Sequence, residues 1–346
     1  MTVRGNGMVC QPDPSKRPAT RPHRSPDLNA AVSHVLEGFR RRHQSTQGKS
    51  VPAPRMRHNV LVVRLSMVAL VALACHAAGQ RYAAAGLVLS VDRAHQTVIL
   101  SHGNIAEYME AMAMPFHVRQ SKSLEALHPG DTVRFTLVVE KNSSFVDDIR
   151  VVPFESAERD PAQASRLKLL GSVMGKSAVV PLAAGQSVPD FTLIDQNRTP
   201  VAFSQSAGKV VAMNFVYTRC PLPDYCFRLS NNFGSVQKRF ASSRDLVLLT
   251  VTFDPVNDQP DVLARYARIW NADPQKWHFL TGPVSDVHRV CDLFGVEYWQ
   301  DEGLFIHSLH TAVIDRDGRL VANLEGNRYT AKQLGDLLET VIKRGH

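Results

Sequence analysis

The body of this chain has no excess charge of either sign, and the whole chain has only five cysteines in 346 residues. The formal charge of +8 lies wholly in residues 1–58, where eleven Lys and Arg face three acids. Residues 59–346 therefore balance to zero. A body without a basic footprint excludes nucleic acid as a partner. Long apolar runs are also missing. Val60–Ala78 is apolar but broken by Arg64, which leaves Leu65–Ala74 uninterrupted, short for a bilayer span. Of the cysteines, Cys10 and Cys75 fall in segments open to removal by processing. Cys291 sits in the helical pattern Val287–Phe294 and reads as a small buried residue. One pair is left, Cys220 and Cys226.

What is present changes character along the chain. Residues 1–55 are rich in Pro, Arg, Ser and His without an apolar period, and read as a disordered or non-native N-terminal extension. Residues 56–79 have a charged start, a short apolar stretch and small residues, the layout of a signal peptide, with a membrane anchor as the competing reading. Ala72-Leu-Ala-Cys75 loosely resembles a lipoprotein processing site. Export would place the chain in the periplasm or at the outer face of the cytoplasmic membrane, where thiols meet an oxidising environment. Residues 84–153 read as all-β, with strands at 86–92, 96–101, 115–118, 132–139 and 145–152 and a turn at Pro129-Gly130-Asp131. Short strands so closely spaced predict a small barrel. Residues 154–185 read as a linker with a helical turn near 162–173. From 186 to 346 strands and helices alternate and end in a hairpin around Asp317-Gly318 and a closing helix. That order predicts an α/β, thioredoxin-like domain.

The chemistry-bearing residues form two groups. Cys220-Pro-Leu-Pro-Asp-Tyr-Cys226 lies between an apolar strand and a helix, where two thiols can form a disulfide or bind a soft metal ion. Phe305-Ile-His307-Ser-Leu-His310 is the place to look for a third ligand. Two thiolates and an imidazole suit copper. In the first domain, Met109, Met112 and Met114 follow His102. Thioether sulfur is soft and neutral and discriminates for Cu(I), and Met112 and Met114, two apart, share a face of a strand. The competing readings are a structural disulfide for the cysteines and core filling for the methionines.

Residues 186–346 resemble the Sco/SenC family of thioredoxin-fold copper proteins. Four segments carry the resemblance: Val188-Pro-Asp-Phe-Thr-Leu-Ile-Asp195, Phe215-Val-Tyr-Thr-Arg-Cys220-Pro with Cys226, Thr252-Phe-Asp-Pro-Val-Asn-Asp258, and His307 to Gly318. It implies a copper site of Cys220, Cys226 and His307, which also makes the cysteines a redox-active pair. His307 rather than His310 holds the family position relative to Asp317-Gly318. The chain departs from the family in one respect, since five residues rather than three separate its thiols. Asp254 and Asp258 read as loop-capping or turn residues, with a role in orienting the site as the secondary reading. No proline lies in Ile306–Ile314, where thioredoxins place a cis-proline beside their thiols.

His102 to Phe116 is similar to the metal loop of the CusF family of periplasmic Cu(I)/Ag(I) carriers, supported by Val91-Asp92 and Pro129-Gly-Asp-Thr-Val133. The resemblance implies His102, Met112 and Met114 as Cu(I) ligands. Met109 stands where the best-known members carry a capping tryptophan, and a thioether there would make it a further ligand.

Together these readings predict an exported metallochaperone for Cu(I) and Cu(II), with no catalytic residue. Its expected partner is a copper-acceptor protein such as a subunit of a haem-copper (cytochrome c) oxidase during assembly. The alternatives are a thiol–disulfide oxidoreductase and a copper buffering or tolerance protein.

Overall fold

The computed structural model describes residues 79–153, 169 and 180–344. The extension at 1–55, the signal or anchor segment up to residue 78, Cys10, Cys75 and the helical turn expected at 162–173, Leu169 aside, lie outside the described residues. No helix among the described residues is long and apolar enough to cross a membrane.

The first domain is built from β1 (Gln80–Asp92), β2 (Thr97–His102), β3 (Ala113–His117), β4 (Thr132–Val139) and β5 (Ser144–Val151). The five form one antiparallel sheet in the order β3-β2-β1-β4-β5, and a parallel bridge from Val118 to Val146 brings β3 to β5. This closes a small OB-like barrel and removes the open sheet edges. Its core follows from strand alternation: Val88, Val98, Leu100, Phe116, Val133, Phe135, Leu137 and Val146 point inward and are buried. β1 begins at Gln80, six residues before the expected strand start, because residues 80–85 still pair along β4.

The second domain has a five-stranded sheet of β8 (Val210–Val216), β9 (Leu246–Thr252), β10 (Trp277–Leu280), β13 (His310–Ile314) and β14 (Leu320–Glu325), ordered β10-β9-β8-β13-β14. Two short hairpins flank it, β6 (Thr192–Ile194) with β7 (Pro200–Ala202) and β11 (Tyr298–Asp301) with β12 (Leu304–His307). β8 and β9 are buried at every position and run parallel, so they read as unbroken apolar runs rather than alternating ones. Helices α1 (Arg228–Arg239) and α2 (Pro260–Ile269) supply the crossovers β8–α1–β9 and β9–α2–β10; α3 (Val284–Leu293) and α4 (Ala331–Arg344) complete the layers. α2 starts with Pro260 and Asp261, a residue without a needed donor and an acid at the positive helix end. α4 opens on a reciprocal cap: the Gln333 amide donates to Thr330 Oγ1, and the Thr330 amide to Gln333 Oε1. The hairpin β11–β12 carries no signal in the sequence, because four-residue strands are too short to show a period.

Candidate metal centres

Three loops meet where β8 ends. β13 runs antiparallel to β8 with Thr311 opposite Asn214, so the segment preceding β13 lies beside the residues following β8. β9 is parallel to β8, and its last residue pairs with Val216, which brings residues 253–259 to the same end. The sheet thus places its reactive residues outside the carboxyl ends of its central strands, where α/β sheets form their sites.

Cys220 lies in the first loop, half-buried, and Cys226 is fully buried in the turn just before α1. The two extra residues between the thiols are taken up in a wide, π-type turn over Pro223–Phe227, kinked at Tyr225. The turn still aims Cys226 inward. His307, buried, ends β12, and the sulfurs of Cys220 and Cys226 and a ring nitrogen of His307 all lie within 4.8 Å of one another. Nδ1 of His307 is 2.9 Å from the carbonyl oxygen of Ser308, which can only accept, so Nδ1 carries the proton. Nε2 is then a lone pair aimed at the thiols, 3.7 Å from Cys226 Sγ. The rings of Phe253, Tyr217 and Tyr225 surround the imidazole at 4.8, 5.6 and 6.0 Å and fix its plane.

The two thiols differ in acidity. Hydrogen bonding from Cys226 holds Cys220 down to about 4, with burial opposing this. Burial, and then the neighbouring Cys220, push Cys226 well up. One thiolate is ready at neutral pH, and the second needs a positive charge to replace its proton, as a metal ion provides.

The two acids read as loop caps from sequence turn out to hold the cysteine loop. Asp258, fully buried, accepts the amide (3.0 Å) and hydroxyl (2.5 Å) of Thr218 and the hydroxyl of Thr252 (2.6 Å). Asp254 accepts Arg219 Nη2 at 2.7 Å, while Arg219 Nη1 donates to the Gly303 carbonyl in the turn of the β11–β12 hairpin. Thr218 and Arg219 were missed in the sequence, where an Arg before a Cys carries no signal of its own. His310 faces elsewhere, toward Asn323 at 3.3 Å, buried in the sheet and away from the thiols.

The barrel carries the second group. His102 pairs with Met112 through its amide, and Leu100 with Met114, so His102, Met112 and Met114 occupy one face of the β2–β3 ladder. Nδ1 of His102 donates to the Gly103 carbonyl at 2.7 Å. Its Nε2 is left as a lone pair, and His102 is 1% exposed with no hydrogen-bond partner for that atom. A buried, unpartnered acceptor is costly unless something else meets it. Met109 is brought back by the Ile105–Met109 bridge and packs with Met114 on the barrel core, while Met112 is 47% exposed at the rim. Gly86 lies opposite His102, and a Cβ there would meet the Ser101 carbonyl at 2.8 Å, so only glycine lets β1 approach this strand.

Residues 181–343 match the family SCO1/SenC, and residues 81–151 match the family described as copper binding periplasmic protein CusF. Each family match covers one of the two domains. Over the second domain it is 31% identical to a SCO2-like protein of Rickettsia prowazekii, aligning 37% of this chain and 64% of that protein. It is 28% identical to the SCO1 protein homolog of Bacillus subtilis, over 40% and 74% respectively. The structure of yeast Sco1 with copper bound is similar at 26% identity and TM-score 0.40, over 46% of this chain and 90% of that one. The chain spans just under two thirds of the length of the SCO2-like relatives from Rickettsia.

Proposed function

We propose that this protein is an exported copper carrier with two sites, in which copper is cargo. Cys220, Cys226 and His307 hold Cu(I) or Cu(II), and His102, Met112 and Met114, with Met109, hold Cu(I). The observation that carries this reading is the convergence of two sulfurs and a lone-pair nitrogen within 4.8 Å. Soft thiolate with imidazole suits copper in both oxidation states, whereas neutral thioethers stabilise Cu(I) alone. The acceptor is the copper centre of a haem-copper oxidase or a similar periplasmic site, and the SCO1/SenC match over 181–343 supports this. Equilibrium competition with a Cu(I) chelator should find two sites per chain. A single site, or none, would defeat the proposal. Deleting the gene should lower oxidase activity in copper-poor medium; copper sensitivity with normal oxidase activity would make the chain a buffer instead.

A second reading is supported by the unequal thiols. An acidic Cys220 beside a protonated Cys226 is the arrangement of a dithiol reductant. Disulfide turnover that needs both cysteines and survives His307→Ala would favour it; loss of function on His307→Ala alone points to metal.

A further inference from the structure

The two domains share a core, and the strand that carries His102 is the shared element. Along β2, Val98, Leu100 and His102 face the barrel interior, while Ile99 packs on the core of the SCO1/SenC domain. Ser101 alternates the same way and is fully buried. Leu87 and Leu89 of β1 likewise belong to the second domain's core. Gly130, in the turn before β4, adopts φ +93, and a Cβ there would lie 2.7 Å from Ala322 Cβ on β14. Polar groups complete the contact. Ser101 Oγ donates to Asp336 Oδ2 at 2.7 Å, and Gln333 Nε2 donates to the Ser101 carbonyl at 3.0 Å. Asp336 is held in turn by Arg239 Nη1 (2.7 Å) and Lys332 Nζ (2.8 Å). Arg239 is the last residue of α1, the helix that starts beside Cys226.

We propose that Ser101 and Gln333 are positioning residues for the His102 site, so that α4 of the second domain sets the metal affinity of the barrel. The proposal rests on the copper reading of the barrel given above. Its physical basis is that both hydrogen bonds fall on the residue adjoining His102. They hold β2 in place before a metal arrives, and the ordering cost of binding is then already met. Neither domain alone contains this arrangement.

The test uses the full chain carrying Cys220→Ala and Cys226→Ala, so that only the barrel binds Cu(I). Gln333→Glu keeps the acceptor that caps α4 but replaces the donor facing Ser101 with an oxygen. Ser101→Ala removes the hydroxyl, and Ser101→Thr restores it. We expect Gln333→Glu and Ser101→Ala each to weaken Cu(I) binding about fivefold, the scale of one net hydrogen bond. Ser101→Thr should recover it. The ring-nitrogen NMR signals of His102 in the metal-free chain should broaden or shift in the two weakened variants and return in Ser101→Thr. Unchanged affinity and unchanged His102 signals in Gln333→Glu and Ser101→Ala would overturn the proposal while leaving the copper site intact. Failure of the parent chain to bind Cu(I) would overturn the copper reading of the barrel, and this proposal with it.

Discussion

Each proposed ligand atom depends on neighbours that touch no metal. Asp258 is the clearest case, because it accepts the Thr218 amide and both threonine hydroxyls inside the protein. Asp258→Ala should therefore destabilise the chain by about 2–4 kcal/mol in urea unfolding, since it leaves buried donors unpaired. Asp258→Asn, which keeps an acceptor, should cost less. Arg219→Ala removes a charge bonded to Asp254 and the tie to the Gly303 carbonyl. It should leave the fold within about 1 kcal/mol, because Arg219 is part-exposed and the buried Asp254 carboxylate still accepts from Asn257 Nδ2. Copper affinity at Cys220 and Cys226 should fall all the same, as read by chelator competition. His310 makes a separate, pH-dependent prediction. Burial holds its imidazole down to about 4, against the ordinary 6.5. Between those values the unfolded chain binds a proton that the fold refuses, so stability falls as pH drops from about 6.5 to about 4. The shift corresponds to about 3 kcal/mol. His310→Gln should remove that share of the acid loss in a denaturation series across pH, whereas an unchanged slope would assign the loss to other groups.

At the scale of elements, the legible parts were those with a clear period or turn. β4 and β10 fall where alternation and apolar runs place them, and α1 to α4 end within a residue or two of their sequence patterns. Spacing alone places Met112 and Met114 on one face, and the ladder through Leu100–Met114 puts His102 with them. The rest was hidden for physical reasons. The π-type turn over Pro223–Phe227 is a local answer to a longer cysteine loop, and no propensity marks such a turn. Ser101 and Asp336 are 235 residues apart in sequence, so nothing local signals their contact. Strand alternation predicts that Ser101 faces away from the barrel core but is silent on what it meets. Gly130 tests this contact at the level of one turn. Gly130→Ala should destabilise the chain by about 1–3 kcal/mol, because it combines a left-handed backbone with a collision against Ala322. Thermal unfolding would measure it, and a neutral effect would mean that the turn and β14 do not meet in solution.

At the scale of the molecule, the two sites sit on domains that are docked rather than tethered. A flexible tether would raise the effective concentration of one site for the other. A shared core instead fixes the separation of the two proposed sites. The division of labour follows from ligand charge. The barrel offers only neutral donors, and the SCO1/SenC domain offers two sulfurs that become thiolates. The most direct test is a Cu(II) titration of the full, reduced chain followed by visible absorption. One intense thiolate-to-copper band should saturate at one Cu(II) per chain, persist in Met112→Ala and vanish in Cys220→Ala, while Cys220→Ala still binds Cu(I) at His102, Met112 and Met114. A coloured Cu(II) complex that survives Cys220→Ala would contradict the ligand assignment at its centre.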